Sequence, residues 1–490
     1  MIRTAGLLNL RDTNTWLLIL AGLGVFFAAD DQTSVVAVLP DMIDDVGLAQ
    51  DQFFRAAWIV NGYILGYVVA MPLMGRIADA YGRERIFALA MLLFCAGSAW
   101  VAMSSGLTLL SIARGVQAIG GGAVVPVSMA LVMRHASPGR RALGLGAMAA
   151  ASEAGGLIGP LWGGGIAELL GWRAMFWINL PMCLPIAAGM WMLSNKQQVT
   201  SNKQQGQVRR DLELPGAVLL GISLVCLTIA LTDDPIEPRG TLLTLALYGG
   251  AAAFFGAFLL RQMHASLPIL RLPMFRSRKL SAAFAVNGLV GGALIVAMVS
   301  VPLFTNVVLR DSALQGGINL MRLTIALPIG ALAGGAIAQR YGANLGASIG
   351  LACAGAGFLL MSTWPEEPGF VAMTGPLLLA GLGFGLVIAP INSAALGETV
   401  EEERTTMASL ITVVRLLGAL VGVALLTSRG LGGFYSQAGL IALDDPRFEE
   451  LVVGVQVDTF HEVFLITGVI CLLTMIPAML LGGRDDVRRE

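Results

Sequence analysis

The residue of this sequence best placed to do chemistry is an acid inside an apolar stretch. Glu153 is followed in the same stretch by a ladder of glycines and a proline at close spacing, which includes Gly155, Gly159, Pro160, Gly163 and Gly164. A carboxylate in hydrocarbon is costly, or it becomes neutral by taking up a proton. Glycines four residues apart let a neighbouring helix approach closely, and proline bends the helix that carries it. We therefore expect a bendable, closely packed helix whose acid responds to protons or cations.

Other apolar stretches carry charges that could form a network with this acid. Asp31 lies about fifteen residues into the first stretch, and its neighbour Asp30 points about 100° away on a helix, where we expect it to pack or to gate. Arg415 lies about 12 Å into a late stretch and must face a cavity or an acid. We expect Arg415 to pair with Asp31 or Glu153 in one conformation, and protonation of the acid to release it.

A further arginine and several amides also fall in apolar stretches. Arg114 lies in the outer third of its stretch, where its side chain could reach the surface or, alternatively, serve a proton relay. Hydrogen bonds between helices are the expected role of the other polar residues: Asn61, Gln117, Asn287, Arg322 and Asn392.

The composition is that of a polytopic membrane protein. The 490 residues are 56% hydrophobic and 13% charged, with a mean hydropathy of +0.76, which excludes a soluble globular protein. Fourteen stretches have the length and period of spanning helices. They lie at about 16–39, 53–74, 86–104, 107–132, 142–168, 173–193, 212–232, 241–260, 281–305, 316–338, 345–363, 370–396, 407–430 and 461–482.

The distribution of basic residues predicts the orientation. If the N-terminus is cytoplasmic, the inner segments hold 22 of the 31 lysines and arginines and the outer loops hold four. Both termini are therefore expected in the cytoplasm, and the first helix is expected to be retained rather than cleaved as a signal peptide. A net charge of −1 gives no reason to expect nucleic acid. Five cysteines scattered through the apolar stretches predict neither a disulfide framework nor a metal site.

An internal repeat predicts how the helices are grouped. The segment from Gly75 to Gly82 recurs at 335–342, each time at the inner end of the second helix of a six-helix block. We expect an N-terminal six-helix bundle (1–193), a cytoplasmic linker with two extra helices (194–280), and a C-terminal six-helix bundle (281–490). The outer segment 431–460 is long, and its 448–457 run is expected to form a short structured extension.

Several motifs, in order along the chain, resemble the major facilitator superfamily. The ladder that starts at Gly155 is similar to the family's fifth-helix antiporter motif, and Arg114-x-x-Gln117-x-x-Gly120 to its fourth-helix arginine motif. Its cytoplasmic loop motif resembles the segment that contains Gly75, Asp79, Gly82, Arg83 and Arg85. The segments 172–181 and 31–40 look like the fourteen-helix drug:proton antiporter branch. The resemblance implies two six-helix bundles plus two additional helices, a proton role for Asp31 and Arg114, and a conformational latch at the loop motif.

A narrower resemblance concerns the cargo. Trp58-Ile59-Val60-x-x-Tyr63-x-Leu65-Gly66-Tyr67, with the context of Glu153, looks like the mycobacterial triacylglyceride-exporting transporters of this branch. It implies lipid export in which Asp31 and Glu153 are important. Two departures stand out: Val36 replaces a frequent asparagine, which weakens a drug-pump assignment, and Gln339 replaces the acid of the second loop motif.

Enzymatic and ATP-driven functions are not expected. Gly346-Ala347-Ser348-Ile349-Gly350 fits the G-x-S-x-G pattern, but no histidine is expected within reach of Ser348 with an orienting acid. No lysine stands in a Walker A context, and no cofactor is expected.

The sequence predicts a proton-coupled transporter of the inner membrane that exports hydrophobic cargo. The cargo is a lipid such as a triacylglyceride, or a lipophilic drug. The alternatives are an efflux pump for cationic amphiphiles and a non-transporting receptor or scaffold. Expected partners are protons, membrane lipids and the cargo, with an envelope lipoprotein as an open possibility.

Overall fold

The chain is mainly helical in the computed structural model. The residues that the structure describes are 13–48, 55–136, 141–198, 213–231, 240–265, 268–270, 275–397, 404–431, 433–434, 437, 441 and 447–482. Within these ranges fourteen helices have 18 residues or more, and α2 and α16 are short. The helices are α1 (Thr13–Ala37), α2 (Leu39–Asp45), α3 (Ala57–Tyr81), α4 (Arg83–Met103), α5 (Leu107–His135), α6 (Arg141–Leu170), α7 (Trp172–Gln198), α8 (Leu214–Leu231), α9 (Thr241–His264), α10 (Arg278–Val307), α11 (Ala313–Tyr341), α12 (Ala343–Met361), α13 (Phe370–Gly397), α14 (Arg404–Leu425), α15 (Phe448–Leu473) and α16 (Met475–Ala478).

Many of these helices could cross a membrane. By length and composition, eleven qualify among the described residues: α1, α4, α5, α7 to α13 and α15. Shorter apolar stretches, Ala57–Met71 and Leu410–Leu425, lie within α3 and α14. The prediction of an all-helical, multi-pass membrane protein is therefore confirmed, whereas the count of fourteen spans stays a prediction.

Two sets of six helices pack in the same pattern. In the first set, α1 packs along α6, α3 along α5, and α4 along both α5 and α7. In the second set, α10 packs along α14, α11 along α13, and α12 along both α13 and α15. Each helix of one set thus has a counterpart in the other, in the same order along the chain.

The sequence repeat corresponds to a repeated turn between helices. Gly82, between α3 and α4, has a φ of 101°, and Gly342, between α11 and α12, has a φ of 100°. This backbone conformation strains any residue with a side chain, so glycine is required at both turns. Each glycine N–H donates to the helix it ends, Gly82 to the Ala78 carbonyl at 2.9 Å and Gly342 to the Ala338 carbonyl at 3.0 Å. Both turns lie at one end of the molecule, which we call the Gly82 end; the opposite end, which carries α2, is the α2 end.

The two helices between the sets form a hairpin on the outside of the first set. α8 packs along α9 and against α3, and Ser223 Oγ donates to the Ala251 carbonyl at 2.8 Å between the two. At the Gly82 end, Arg261 of α9 lies 3.0 Å from the buried carboxylate of Glu213, next to α8. This ion pair fixes the hairpin where the chain enters and leaves it.

The last long helix begins earlier than its apolar window. α14 continues into a π-helical turn (Leu426–Leu431), and α15 starts at Phe448 rather than near residue 461. The run predicted as a structured extension is therefore the first part of α15. Most of the segment between these elements lies outside the described residues, as do residues 199–212 of the predicted linker region.

The two sets of helices touch at the α2 end through α6 and α11. A side chain at Gly164 would collide with the backbone of Ala313, and one at Gly317 with the Pro160 carbonyl. Glycine therefore lets the two helix backbones come into direct contact. The Ser312 hydroxyl also donates to the carboxylate of Glu168 at 3.0 Å. The two sets are thus closed against each other at this end.

Candidate functional site

A cavity of about 350 Å³ lies between the two sets of helices, on the Gly82 side of the α6–α11 contact. Its walls come from α1, α3, α5 and α6 on one side and from α10, α11, α13 and α14 on the other. Most lining residues are aliphatic, glycine or methionine, and the methionines come from four helices: Met71, Met129, Met148 and Met298. Methionine side chains adapt to irregular shapes, so this surface suits bulky apolar molecules of varying form.

Two charges of opposite sign face this cavity. Among the described residues that line it, Glu153 on α6 and Arg415 on α14 alone are charged. Glu153 is exposed to the cavity and Arg415 is half-buried. No ion pair joins them in this conformation, and no other described residue pairs with either. They stand on opposite sets of helices, so a relative movement of the sets changes the distance between them.

Asp31 does not reach the cavity but lies inside the first set of helices. Arg114 Nη1 donates to Asp31 Oδ2 at 2.7 Å, and both side chains are excluded from solvent. Asp31 Oδ1 accepts from Gln117 Nε2 at 2.8 Å and from Asn179 Nδ2 at 2.9 Å. Both amides also donate to the Ser98 hydroxyl, at 2.6 and 3.1 Å. A buried ion pair needs such additional hydrogen bonds. Both carboxylate oxygens of Asp31 have them, whereas the buried Nε of Arg114 has no partner among the described residues.

Arg114 does not extend to the surface, which corrects the first of its two sequence-based interpretations. Its guanidinium lies 4.2 Å from the centre of the Tyr63 ring and 5.7 Å from that of Phe176. Aromatic faces and a carboxylate on a neighbouring helix hold the cation inside the set. Asp31 is therefore paired with Arg114, not with Arg415, in this conformation.

Sequence reasoning omitted three residues of this network. Tyr63 and Asn179 belong to the segments that resemble the family, but no spacing along the chain indicates that either side chain reaches the Asp31–Arg114 pair. Nothing in the sequence marks Ser98 as part of this network, because a serine in an apolar stretch is more often an ordinary bridge between helices.

Only some of the other polar residues form the hydrogen bonds between helices that were predicted for them. Gln117 belongs to the Asp31 network, and Asn287 donates to the Ile411 carbonyl at 2.6 Å, bridging α10 and α14. Arg322 donates to the Thr374 hydroxyl at 3.0 Å, and Asn392 lines the cavity. The interhelical bond expected of Asn61 is not formed, since its buried amide reaches no partner among the described residues. Asp30 is also buried, and its Oδ1 accepts no hydrogen bond within that part of the chain.

The glycine ladder brings α6 into backbone contact with α1. Side chains at Gly155, Gly159 or Gly163 would collide with α1 between Phe26 and Ser34. The Ser34 hydroxyl donates to the Gly159 carbonyl at 2.8 Å. α1 therefore touches three things at once: the Asp31 network, the ladder, and the cavity, which it lines with Gln32 and Thr33. A change of charge at Asp31 can act on the cavity through this one helix.

The loop motif of the first repeat lies at the Gly82 end. Arg83 donates to a carbonyl of α5, that of Ala130, at 2.7 Å. Gly75 lies in α3 near α5, and Arg85 is half-buried in α4. The side chain of Asp79 lies outside the described residues, so its predicted contacts stay a prediction. Arg83 thus joins α4 to α5 at this end, and the predicted role of the motif as a conformational latch stays a prediction.

The described residues include no cluster of three or more histidines, cysteines, aspartates or glutamates able to hold a metal ion. What the arrangement offers is a mainly apolar chamber, an acid that water can reach, and a buried acid in an ion pair beside it. Such groups can bind and release protons as their surroundings change.

Known proteins share this architecture and much of this sequence. The profile of the Major Facilitator Superfamily matches residues 21–423. A triacylglyceride transporter of Mycolicibacterium hassiacum is 34% identical over 501 residues, covering 96% of this chain and 92% of that protein. A triacylglyceride transporter of Mycobacterium tuberculosis is 32% identical over 495 residues, covering 95% of this chain and 94% of that protein.

Solved structures share the fold at low sequence identity. A bacterial homolog of the human lysosomal transporter Spinster superposes with a TM-score of 0.68 at 15% identity, over 96% of this chain and 97% of that one. A D-xylose–proton symporter superposes with a TM-score of 0.62 at 13% identity, over 93% of this chain and 96% of that one. The chain therefore belongs to the major facilitator superfamily and closely resembles the mycobacterial triacylglyceride transporters.

Proposed function

We propose that this protein exports an uncharged lipid such as a triacylglyceride in exchange for protons, by alternating access between its two sets of helices. The observation that carries the proposal is the cavity between the sets, which is mainly apolar and holds one acid and one arginine on opposite walls. The names of the relatives support the same class of cargo.

The orientation and grouping of the helices belong to the same proposal. The Gly82 end faces the cytoplasm together with both termini, as the distribution of lysine and arginine predicts. Fourteen helices cross the inner membrane as two bundles, 1–193 and 281–490, joined by 194–280, as in the fourteen-helix drug:proton antiporter branch. The conformation described above, closed at the α2 end, is then the inward-facing one.

Coupling follows from the two acids and their arginines. In the inward-facing state Asp31 is paired with Arg114, whereas Glu153 and Arg415 are apart. Closing the Gly82 end brings α6 and α14 together, so that Glu153 can pair with Arg415 once it has lost its proton. Protonation from outside breaks this pair and favours the return. Cargo and proton therefore occupy the cavity in different states.

A second candidate is the efflux of cationic amphiphiles. The exposed carboxylate of Glu153 favours it, because a cation in the cavity could pair with this acid. Arg415 in the same cavity opposes a cationic cargo by like-charge repulsion. The balance favours neutral cargo, and competition between a lipid and a lipophilic cation in one transport assay separates the two.

The test is transport by purified protein in proteoliposomes under an imposed pH gradient. Glu153→Gln removes the titrating group but keeps its size, and we expect it to abolish the response of lipid flux to the gradient. Glu366→Gln, at an exposed site in the loop between α12 and α13, is the matched control and is expected to behave as the wild type. A receptor or scaffold would show no flux to lose, and unchanged coupling in the Glu153 variant would refute the proposal.

A further inference from the structure

A second cavity lies at the α2 end, outside the closed α6–α11 contact. Its volume is about 370 Å³, within the range of sites that bind small molecules. It is bounded by α2 and α3 from the first set and by α10, α14 with its π-helical turn, and α15 from the second. Aliphatic side chains make up most of its wall, among them Val60, Val299, Leu303, Val423, Leu426 and Val463.

The polar groups of this pocket are few, and most already have partners. The hydroxyls of Thr427 and Thr459 donate to carbonyls of their own helices, at 2.9 and 2.8 Å. Asn306 donates to the Asp311 carbonyl at 3.1 Å. Asp44 is the one charged residue among the described lining, and it is exposed, so its charge stays in contact with solvent.

Gln456 of α15 is different. Its Oε1 atom is buried and accepts no hydrogen bond from any described residue. A buried polar atom without a partner costs free energy unless a ligand or water satisfies it. Rotation of the amide by 180° exchanges its oxygen and nitrogen, which puts an N–H donor at the buried position. An ester carbonyl in the pocket would accept a hydrogen bond from that N–H. The pocket thus combines a long aliphatic wall with one uncharged polar group.

The pocket and the central cavity are both lined by α10 and α14, at neighbouring positions along these helices. On α10, Met298 lines the central cavity and the next residue, Val299, lines the pocket. On α14, Ala419 and Val423 do the same, one helical turn or about 6 Å apart. Ile295, which also lines the central cavity, and Leu420 are buried apolar side chains of these two helices. The two cavities therefore adjoin along α10 and α14.

We propose that this pocket binds one acyl chain of an ester lipid, with the ester beside Gln456, and that it is a second site on the route between the central cavity and the outer leaflet. Its place on an export route rests on the proposed function, whereas the binding itself does not. Aliphatic chains match its wall, and the one charged residue of the described lining, Asp44, is exposed to solvent. The chain can come from the cargo or from a membrane phospholipid, since both carry acyl esters.

The test is photo-crosslinking in nanodiscs without any gradient. The probes are a triacylglyceride and a phosphatidylglycerol, each with a diazirine at the end of one acyl chain, and the labelled peptides are mapped by mass spectrometry. We expect labels on α10 beyond Val299, on the π-helical turn and on the first half of α15. Labelling by the triacylglyceride alone, by the phospholipid alone or by both supports the site and identifies the source.

Two variants of pocket residues and one control variant show whether the labelling is specific to the pocket. Leu303→Trp fills the pocket and is expected to lower this labelling at least fivefold. Leu289→Trp, on the lipid-facing side of the same helix, is the matched control and should leave it unchanged. Gln456→Leu keeps the volume and removes the amide, and a severalfold loss is expected even if the tryptophan variant fails to fold.

The proposal is overturned if neither probe labels these segments, or if labelling is the same in wild type, Leu303→Trp and Gln456→Leu. Failure of the proposed function looks different. If lipid flux through the wild-type protein does not respond to a pH gradient but the pocket is still labelled, proton-driven export is refuted. The lipid-binding site is then still supported.

Discussion

Arg114 and Asp31 form an ion pair of 2.7 Å that solvent does not reach, and two amides complete the hydrogen bonding of the carboxylate. The pair joins α5 to α1, and α1 also contacts the glycine ladder of α6 and the central cavity. Desolvation of two charges offsets most of their attraction, so a pair of this kind is poorly explained by stability alone. Its position on the helix that lines the cavity is what a coupling element requires.

Removal of one partner of this pair is expected to lower the free energy of unfolding far more than removal of both. Arg114→Ala leaves Asp31 buried without its cation and should lower the free energy of unfolding by about 3–5 kcal/mol. Arg114→Leu combined with Asp31→Asn leaves no buried charge and should recover much of that loss. Unfolding in mixed micelles measures both. An Arg114→Ala protein as stable as the wild type would show that the pair is not buried as described.

Glu153 and Arg415 are expected to interact in a conformation other than this one. Arg415→Ala should abolish the response of transport to a pH gradient, as should Glu153→Gln. If the two residues act as a pair, the double variant should be no worse than either single variant. The effects of the two substitutions on proton-driven flux should then be strongly non-additive. Additive effects, or full coupling in Arg415→Ala, would contradict the pairing.

The α2 end should open when a side chain is added at the contact between α6 and α11. A Cβ at Gly164 would lie 2.7 Å from the Ala313 carbonyl oxygen, so Gly164→Ala should shift the population towards the outward-open state. Gly165→Ala is the matched control, since its Cβ would meet only Leu314 Cδ1 at 3.8 Å. Spin labels at the exposed positions Leu169 and Phe370, in a background without native cysteines, measure the separation at this end. Equal distance distributions in the two variants would argue against this contact as the outer closure.

The α8–α9 hairpin is expected to depend on its ion pair at the Gly82 end. Glu213 is buried and Arg261 is about half exposed, so Arg261→Ala leaves a buried carboxylate without its partner. We expect a loss of up to about 3 kcal/mol in stability and little change in proton-driven flux by the folded protein. Arg261→Ala combined with Glu213→Gln, which carries no charge at either site, should be less affected. A flux that falls more than the stability would show that the hairpin takes part in transport.

The sequence predicted the kinds of residue in the site better than their contacts. Asp31, Glu153, Arg114 and Arg415 stand out because a charge in an apolar stretch needs a reason to be there. Which arginine pairs with which acid depends on how four helices pack, and no spacing along one chain contains that information. Arg114 illustrates the point, since a cation near a helix end can reach the surface or turn inward.

The ends of the apolar windows were also poor guides to the ends of helices. α15 begins at Phe448 because a helix may continue past the apolar stretch that crosses hydrocarbon. Gln456 lies in that early part, and the pocket at the α2 end exists only through the packing of five helices. The glycine turns at 82 and 342, by contrast, were visible as a repeat because the backbone there demands glycine.

The central claim, exchange of lipid for protons, is tested most directly by simultaneous measurement of both fluxes. Purified protein in proteoliposomes receives a labelled triacylglyceride and an internal pH dye, and a pH gradient is then imposed. We expect lipid movement against its concentration gradient and a proton flux in the opposite direction. Both should be lost in Glu153→Gln, and a protonophore, which collapses the pH gradient, should abolish the lipid movement. Lipid movement of the same rate and extent with and without the gradient would contradict it.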